Sequence, residues 1–258
     1  MKIVLKVGGS VLEEPGMIER VARATTLLVK DGHQVALVHG GGKALSKTLE
    51  QLGKASTFVN GLRVTDAETR DVAIMVLAGR INKQLVAAFA RLGQPAMGMC
   101  GGDGSAFRAR KKTDSDLGFV GEICAADPQW IFALWERHAV PVISSIALGF
   151  DGEYYNVNAD QMAAACAVAC NANALIFLTD VPGVWNEDGA LIRHLSAKQI
   201  ASLIASSAIK GGMLPKLEAC QSALRGGVNR VRILPANDID ALPDFYFTRV
   251  EAGTEVFA

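Results

Sequence analysis

The sequence predicts an α/β protein, a three-layer α/β/α sandwich with a mainly parallel central sheet. Two observations carry that expectation. Short apolar runs of strand length alternate with longer stretches whose apolar residues recur at helical spacing, as in a parallel sheet covered on both faces. Two of those runs end directly in glycines, in Lys6-Val7-Gly8-Gly9-Ser10 and in Val35-Ala36-Leu37-Val38 followed by His39-Gly40-Gly41-Gly42. Glycine turns at strand ends leave bare backbone N–H groups that can close on an anion. The 258 residues, half of them hydrophobic, fit one large domain or two intimately joined lobes.

The elements follow in chain order. Strands are expected over residues 3–7, 34–38, 95–99, 140–144, 174–178 and 230–234. Between them Ile18, Val21, Ala22, Thr25, Leu28 and Val29 recur at helical spacing, as do Leu45, Thr48, Leu49 and Leu52. A longer helix is expected over 67–92, stopped by Gly93. Ser196 with Gln199 forms a capping box for a helix over 197–206, and a helix over 214–225 ends at Gly226-Gly227. Residues 100–122 and 150–156, the latter centred on Asp151-Gly152, break the alternation and read as β-hairpins or excursions over a site. The nearly uncharged stretch from Met162 to Leu178 reads as a buried helix running into a buried strand rather than a membrane span.

Twenty-six basic residues balance 26 acidic ones, which leaves no surplus charge for nucleic acid or an anionic membrane. Lys6 interrupts the N-terminal apolar run Ile3-Val4-Leu5, so no secretory pattern is present and a cytoplasmic protein is expected. The five cysteines are an odd number without CxxC spacing. Cys166 and Cys170 share a helix face without nearby partners for a metal, and read as small apolar core residues.

Common nucleotide motifs do not fit. His39-Gly40-Gly41-Gly42-Lys43-Ala44 has Ala44 where a P-loop needs Ser or Thr for magnesium, and the third glycine of a dinucleotide fingerprint is replaced by Leu45. Other segments add chemistry. Arg63, in Asn60-Gly61-Leu62-Arg63-Val64-Thr65, is either a solvated surface charge or a bidentate partner for a carboxylate. In Asn156-Val157-Asn158-Ala159-Asp160, either Asn158 or Asp160 could cap the alanine-rich helix that follows. Thr179-Asp180-Val181-Pro182-Gly183-Val184 follows a buried strand, where ligand crevices of α/β sheets lie. Lys216, in Gly211-Gly212-Met213-Leu214-Pro215-Lys216, stands in a first helical turn, which electrostatically prefers negative charge; a cation there suggests that an anion is expected. His39 reads as a structural polar residue at a strand end.

These segments, with Asp116-Leu117-Gly118-Phe119-Val120-Gly121, match in order and spacing over almost the whole chain, and the sequence resembles the amino-acid kinase family. Within it the similarity is to members that phosphorylate N-acetyl-L-glutamate in arginine biosynthesis. The resemblance implies ATP-dependent formation of N-acetyl-L-glutamyl 5-phosphate, with N-acetyl-L-glutamate and ATP as small-molecule partners. Magnesium would arrive on ATP, without a metal site in the protein. Lys6 and Lys216 would flank the transferring phosphoryl group as catalytic residues, and Asp160 would organise them. Gly8 and Gly9 would offer N–H groups to phosphate, and Gly41, Gly42, Arg63 and Asn156 would bind the acidic substrate. Thr179, Asp180, Gly183, Val184, Lys210, Gly211, Gly212 and Met213 would form the ATP site. The resemblance also implies two lobes, residues 1–172 for the acid and dimerisation and 173–258 for ATP. It implies a homodimer rather than a hexamer, because the additional N-terminal helix of arginine-inhibited relatives is missing.

Two segments depart from the family pattern. Gly101-Gly102-Asp103-Gly104 lacks a lysine that many relatives carry, and Leu234-Pro235-Ala236-Asn237-Asp238 replaces an Asp-Gly-Arg type of turn, while Gly253-Thr254 is retained. Two alternatives remain open at this level. One is a sister kinase acting on another acidic or N-acylated amino acid. The other is a non-catalytic paralogue, against which both lysines and Asp160 argue.

Overall fold

In the computed structural model of the chain, residues 1–59, 61–113, 116–186, 188–205, 211–242 and 252–257 are described. One sheet runs through them in the order His194–Ser196, Thr254–Phe257, Arg230–Pro235, Ala174–Thr179, Lys2–Val7, Gln34–His39, Val140–Ser144, Ala96–Met99. Neighbours pair in parallel except Arg230–Pro235 with Thr254–Phe257, which are antiparallel. All six expected strands are present within a residue of their expected ends. The two additional strands, His194–Ser196 and Thr254–Phe257, are too short to stand out as apolar runs.

Strand Lys2–Val7 lies near the middle of this sheet, between Ala174–Thr179 and Gln34–His39. Its alternation divides the core. Ile3, Leu5 and Val7 join a cluster with helix Met17–Lys30, helix Gly42–Gln51 and the long helical stretch from Ala67 to Arg91. Val4 joins a second cluster with helices Ala159–Ala169 and Met213–Arg225. Lys6 has the parity of Val4, so the alternation sends it toward those two helices. The buried alanine-rich helix running into a buried strand is as expected, and its lack of an amphipathic face follows from burial between sheet and neighbouring helix.

The long helix begins at Asp66, whose side chain accepts the Thr69 N–H at 2.8 Å. It ends where Gly93 takes a left-handed φ of +69° and Gln94 N–H reaches back to the Phe89 carbonyl. Its middle, Ile74–Ile81, is wound as a π-helix, a local widening often found beside functional sites. By length and composition Ala67–Arg91 could cross a membrane, but half of its apolar window is buried inside the fold.

The two stretches expected as hairpins or excursions form one unit. Phe107–Lys111, Val120–Ala126, Ile146–Gly149 and Tyr154–Val157 pair into a closed four-stranded ring beside the main sheet. Gly152 turns its last corner with a φ of +85°. The capping box is formed: Ser196 N–H and hydroxyl both donate to Gln199, and Gln199 N–H donates back to Ser196. All five cysteines are free. Four are buried, as core residues should be, while Cys124, on strand Val120–Ala126 of the small ring, is exposed.

Candidate active site

The centre of the site is three charges that the sheet and two helices bring together. Lys6 Nζ lies 2.7 Å from Asp160 Oδ1, and Lys216 Nζ donates to both Asp160 oxygens at 3.1 and 3.2 Å. All three side chains are at most 9% exposed. The capping question at helix Ala159–Ala169 is resolved by a division of labour. Asn158 Oδ1 accepts the N–H groups of Asp160 and Gln161 and caps the helix, which leaves the Asp160 carboxylate for the lysines. Burial works to raise the Asp160 carboxyl, but the two ammonium groups outweigh it and hold it below its ordinary value. Burial also lowers Lys6 from its ordinary 10.5, with Asp160 opposing and Lys216 reinforcing. The trio carries a net charge of +1 at the C-terminal ends of the strands, where α/β sheets bind ligands.

Glycines surround this trio for two different reasons. A Cβ on Gly9 would stand 2.8 Å from Gly41 Cα and Gly42 N, so the two glycine loops touch backbone to backbone. A Cβ on Gly41 would collide with Ile81 and Leu77 of the π-helical turn. At Gly42 and Gly212, by contrast, a Cβ would meet nothing within 4 Å, and at Gly8 nothing nearer than 3.7 Å. Packing does not require glycine there; close approach of a ligand would. His39 holds the second loop from beneath. It is fully buried, with Nδ1 on the Gly40 carbonyl at 3.0 Å and Nε2 against Asn82 Nδ2 at 3.1 Å, and burial pushes it down to about 4. A neutral imidazole donating from Nδ1 and accepting at Nε2 fits both contacts, which makes it structural.

Two cavities meet at the trio; Lys6, Gly9 and Asp160 line both. The smaller, about 230 Å³, holds Gly41, Gly42, Arg63 and Asn156 on its wall. Arg63 is no surface charge: it is 7% exposed, on the small hairpin Phe58–Val59 with Leu62–Arg63. One of its terminal nitrogens donates to the Gly42 carbonyl at 2.9 Å and Ser46 Oγ at 2.7 Å, the other to Ser56 Oγ, and the Phe58 ring lies 4.6 Å from the guanidinium. Asn156 Nδ2 faces Thr65 Oγ1 at 3.4 Å, and that hydroxyl donates to the Arg63 carbonyl at 2.9 Å. Thr65 thereby couples the two polar walls, a part that its place in the arginine motif did not reveal.

The larger cavity, about 720 Å³, is lined by Gly8, Ser10, Thr179, Asp180, Val181, Gly212, Met213 and Lys216. Thr179 Oγ1 closes a turn of its own, donating to the Val181 carbonyl at 2.7 Å and accepting the Val181 N–H. Gly183 and Val184 do not line this cavity. Both are buried, and Val184 N–H donates to Thr254 Oγ1 at 2.9 Å, a use for the retained Gly253-Thr254 pair. Trp185 and Asn186, the next residues along, line it instead. Gly211 turns the chain ahead of helix Met213–Arg225 with a φ of +64°; Lys210 and Asn60 lie outside the described residues. Among the described residues no three His, Cys, Asp or Glu side chains gather to hold a metal.

Residues 1–235 match the sequence model of the amino acid kinase family. The chain belongs to the amino acid kinase family. It is 65% identical over 259 residues to an acetylglutamate kinase of Acidobacterium capsulatum, covering all of both chains, and 54% identical to one of Koribacter versatilis, covering all of this chain and 99% of that one. Among solved structures, N-acetylglutamate synthase from Neisseria gonorrhoeae superposes with a TM-score of 0.87 at 26% identity, this chain spanning 59% of it. Membership makes the chain a kinase and accounts for the mainly parallel sheet.

Three outcomes follow for this site. Asp160→Ala leaves two buried ammonium groups facing each other and lowers stability by about 3–5 kcal/mol in urea unfolding, more than Lys6→Ala, in which Asp160 keeps Lys216; equal stability of the two variants would contradict the geometry. Gly9→Ala lowers stability by about 1–3 kcal/mol through the loop contact, whereas Gly42→Ala unfolds like the wild type and loses activity. With Lys6 acting as a cation, as the sequence leads one to expect, its burial-lowered ammonium makes kcat/KM fall on the alkaline side with a midpoint below 10.5, the ordinary lysine value; a profile flat up to that pH would contradict that expectation.

Proposed function

We infer that this kinase transfers the γ-phosphoryl group of ATP to the side-chain carboxylate of N-acetyl-L-glutamate, giving ADP and N-acetyl-L-glutamyl 5-phosphate in arginine biosynthesis. The observation that carries this reading is the meeting of a small and a large cavity at Lys6, Gly9 and Asp160. A compact acid fits the small one and a nucleotide the large one, and their reacting ends would face each other across the lysines. The full-length likeness to acetylglutamate kinases supports the choice of acid.

The attacking carboxylate is already ionised at neutral pH, since its pKa is about 4.3 in an unperturbed glutamate. No general base is needed, and the buried neutral His39 is not one. What must be overcome is repulsion between a carboxylate and a polyphosphate, so the work is positioning and charge stabilisation. Lys6 and Lys216 face the transferring group from two elements, and Asp160 keeps their ammonium groups in place and apart. The N–H groups of Gly9, Gly41 and Gly42 donate to phosphoryl and carboxylate oxygens; contrary to the sequence expectation, the Gly8 N–H is taken by the Leu178 carbonyl at 3.3 Å, so Gly8 contributes room rather than a donor. Arg63, fixed by Gly42, Ser46, Ser56 and Phe58, binds the α-carboxylate of the acid; Asn156, steadied by Thr65, hydrogen-bonds its acetamido group. Magnesium enters on ATP, held mostly by phosphate and water; Asp180, exposed on the cavity wall, is a carboxylate within its reach. In this reading residues 1–172 bind the acid and 173–258 the nucleotide, joined along the pairing of Lys2–Val7 with Ala174–Thr179. The protein works in the cytoplasm as a homodimer, for which strand Ala96–Met99, last in the sheet and carrying the exposed Met97, offers an edge.

The test is an acyl-hydroxamate assay with Mg-ATP, hydroxylamine and N-acetyl-L-glutamate, glutamate, aspartate or N-acetylaminoadipate. Product with N-acetyl-L-glutamate in clear excess is expected; stronger product with another acid would move the substrate, and none with any acid would refute the reaction. Lys6→Ala and Lys216→Ala reduce kcat by roughly 100-fold or more, while Arg63→Ala mainly raises KM for the acid. An unchanged KM in Arg63→Ala would overturn the proposed substrate orientation.

A further inference from the structure

Trp185 lines the larger cavity and has no part in the chemistry above. It belongs to the short strand Val184–Trp185, whose side chains point to opposite sides: Val184 is fully buried and Trp185 is 45% exposed. The root of that strand is pinned. Thr254, fully buried, accepts the Val184 N–H at 2.9 Å and donates to the Ile192 carbonyl on the paired strand at 2.7 Å. Trp185 itself pairs with Leu191 across the hairpin. A Cβ on Gly183 would stand 2.6 Å from Thr254 Oγ1, so the chain enters the strand in close contact with the same threonine. The indole is therefore carried on fixed backbone.

Among the described residues no aromatic ring and no cation covers this indole. An uncovered large aromatic on a cavity wall has apolar surface to bury. The same cavity is lined by Lys6 and Lys216, whose charge draws a polyphosphate. A nucleotide held there by its phosphates has one flat, apolar part left to place, its heterocyclic base. We propose that Trp185 is the stacking platform for the purine base of the phosphoryl donor, and so a binding residue of the nucleotide site. The inference rests on the kinase reading above. Every base has a π-face, so stacking contributes affinity without choosing between bases. The platform serves ATP and GTP alike, and does nothing for pyrophosphate, which lacks a base.

The chain has three tryptophans, Trp130, Trp135 and Trp185, which makes the stack observable by fluorescence. Addition of ADP quenches part of the tryptophan emission of the wild type and leaves that of Trp185→Ala unchanged. In Trp185→Ala the KM for ATP rises roughly tenfold, KM for N-acetyl-L-glutamate and kcat stay within about twofold, and Trp185→Phe recovers most of the loss. Inhibition by pyrophosphate is the same in wild type and Trp185→Ala. A KM for ATP within about twofold of wild type in Trp185→Ala, an undiminished quench in that variant, or equal weakening of ADP and pyrophosphate would each overturn the proposal. A wild type that forms product while Trp185→Ala matches it defeats the platform alone; a wild type that binds no ADP defeats the kinase reading and the platform together.

Discussion

A carboxylate shared by two buried lysines is the interaction on which the rest of this structure depends. Each of the three side chains would be unfavourable alone in a position so removed from water, because a buried charge is tolerated only when paired and hydrogen-bonded. Asp160 makes the arrangement stable in the free protein, with Lys6 at 2.7 Å and Lys216 at 3.1 Å. It does not neutralise the arrangement. One positive charge is left over, confined between two cavities, and an anion entering either cavity completes the pairing. The fold is organised to deliver this. Lys6 is turned by strand alternation toward the face on which helices Ala159–Ala169 and Met213–Arg225 begin. Asn158 takes over the capping that Asp160 would otherwise do.

The backbone around the trio is as constrained as the charges. The contact between Gly9 and Gly41 draws the ends of strands Lys2–Val7 and Gln34–His39 into one floor, and Leu77 and Ile81 of the π-helical turn press on it from the side. His39 and Asn82 tie the same floor to the Val142 carbonyl on the neighbouring strand. A carboxylate meeting a phosphoryl group needs in-line geometry more than it needs a proton-transfer group. A floor that cannot shift without disturbing the core meets that need. It also gives glycine two meanings around one site: Gly9 and Gly41 answer to packing, while Gly42 and Gly212 leave open space beside them.

Much of this was legible in the chain. Five of the six strands announce themselves because parallel strands covered on both faces are largely apolar; the sixth, Ala96–Met99, is a partly exposed edge strand that is apolar all the same, and the glycine-terminated strands mark the ligand end of the sheet. The strands His194–Ser196 and Thr254–Phe257 were not legible, because three or four residues at a sheet edge leave no pattern. The four-stranded ring could be read only as excursions, since its pairing joins segments far apart in sequence. For Arg63 the sequence left two readings, surface charge or carboxylate partner, and only tertiary contact with Gly42, Ser46 and Ser56 places it inside. Asn158 and Asp160 were ambiguous for a related reason: either is a good cap, and the choice depends on where Lys6 and Lys216 lie in space. Gly183 and Val184 sit in a motif that points to the nucleotide, yet alternation at Val184 turns that residue inward and sends Trp185 to the cavity.

The central claim is that Lys6 and Lys216, held by Asp160, bind the phosphoryl group more strongly in transit than at rest. Binding that is stronger in the transition state is what accelerates a reaction. The most direct measurement compares the affinity of wild type and Lys6→Ala for ADP with and without aluminium fluoride, in the presence of magnesium and N-acetyl-L-glutamate. The account predicts that the variant loses roughly 100-fold or more in affinity for the ADP–aluminium fluoride complex, which imitates the transferring group, and less than about tenfold for ADP alone. Equal losses for both would mean that Lys6 merely holds the nucleotide, and would contradict the account.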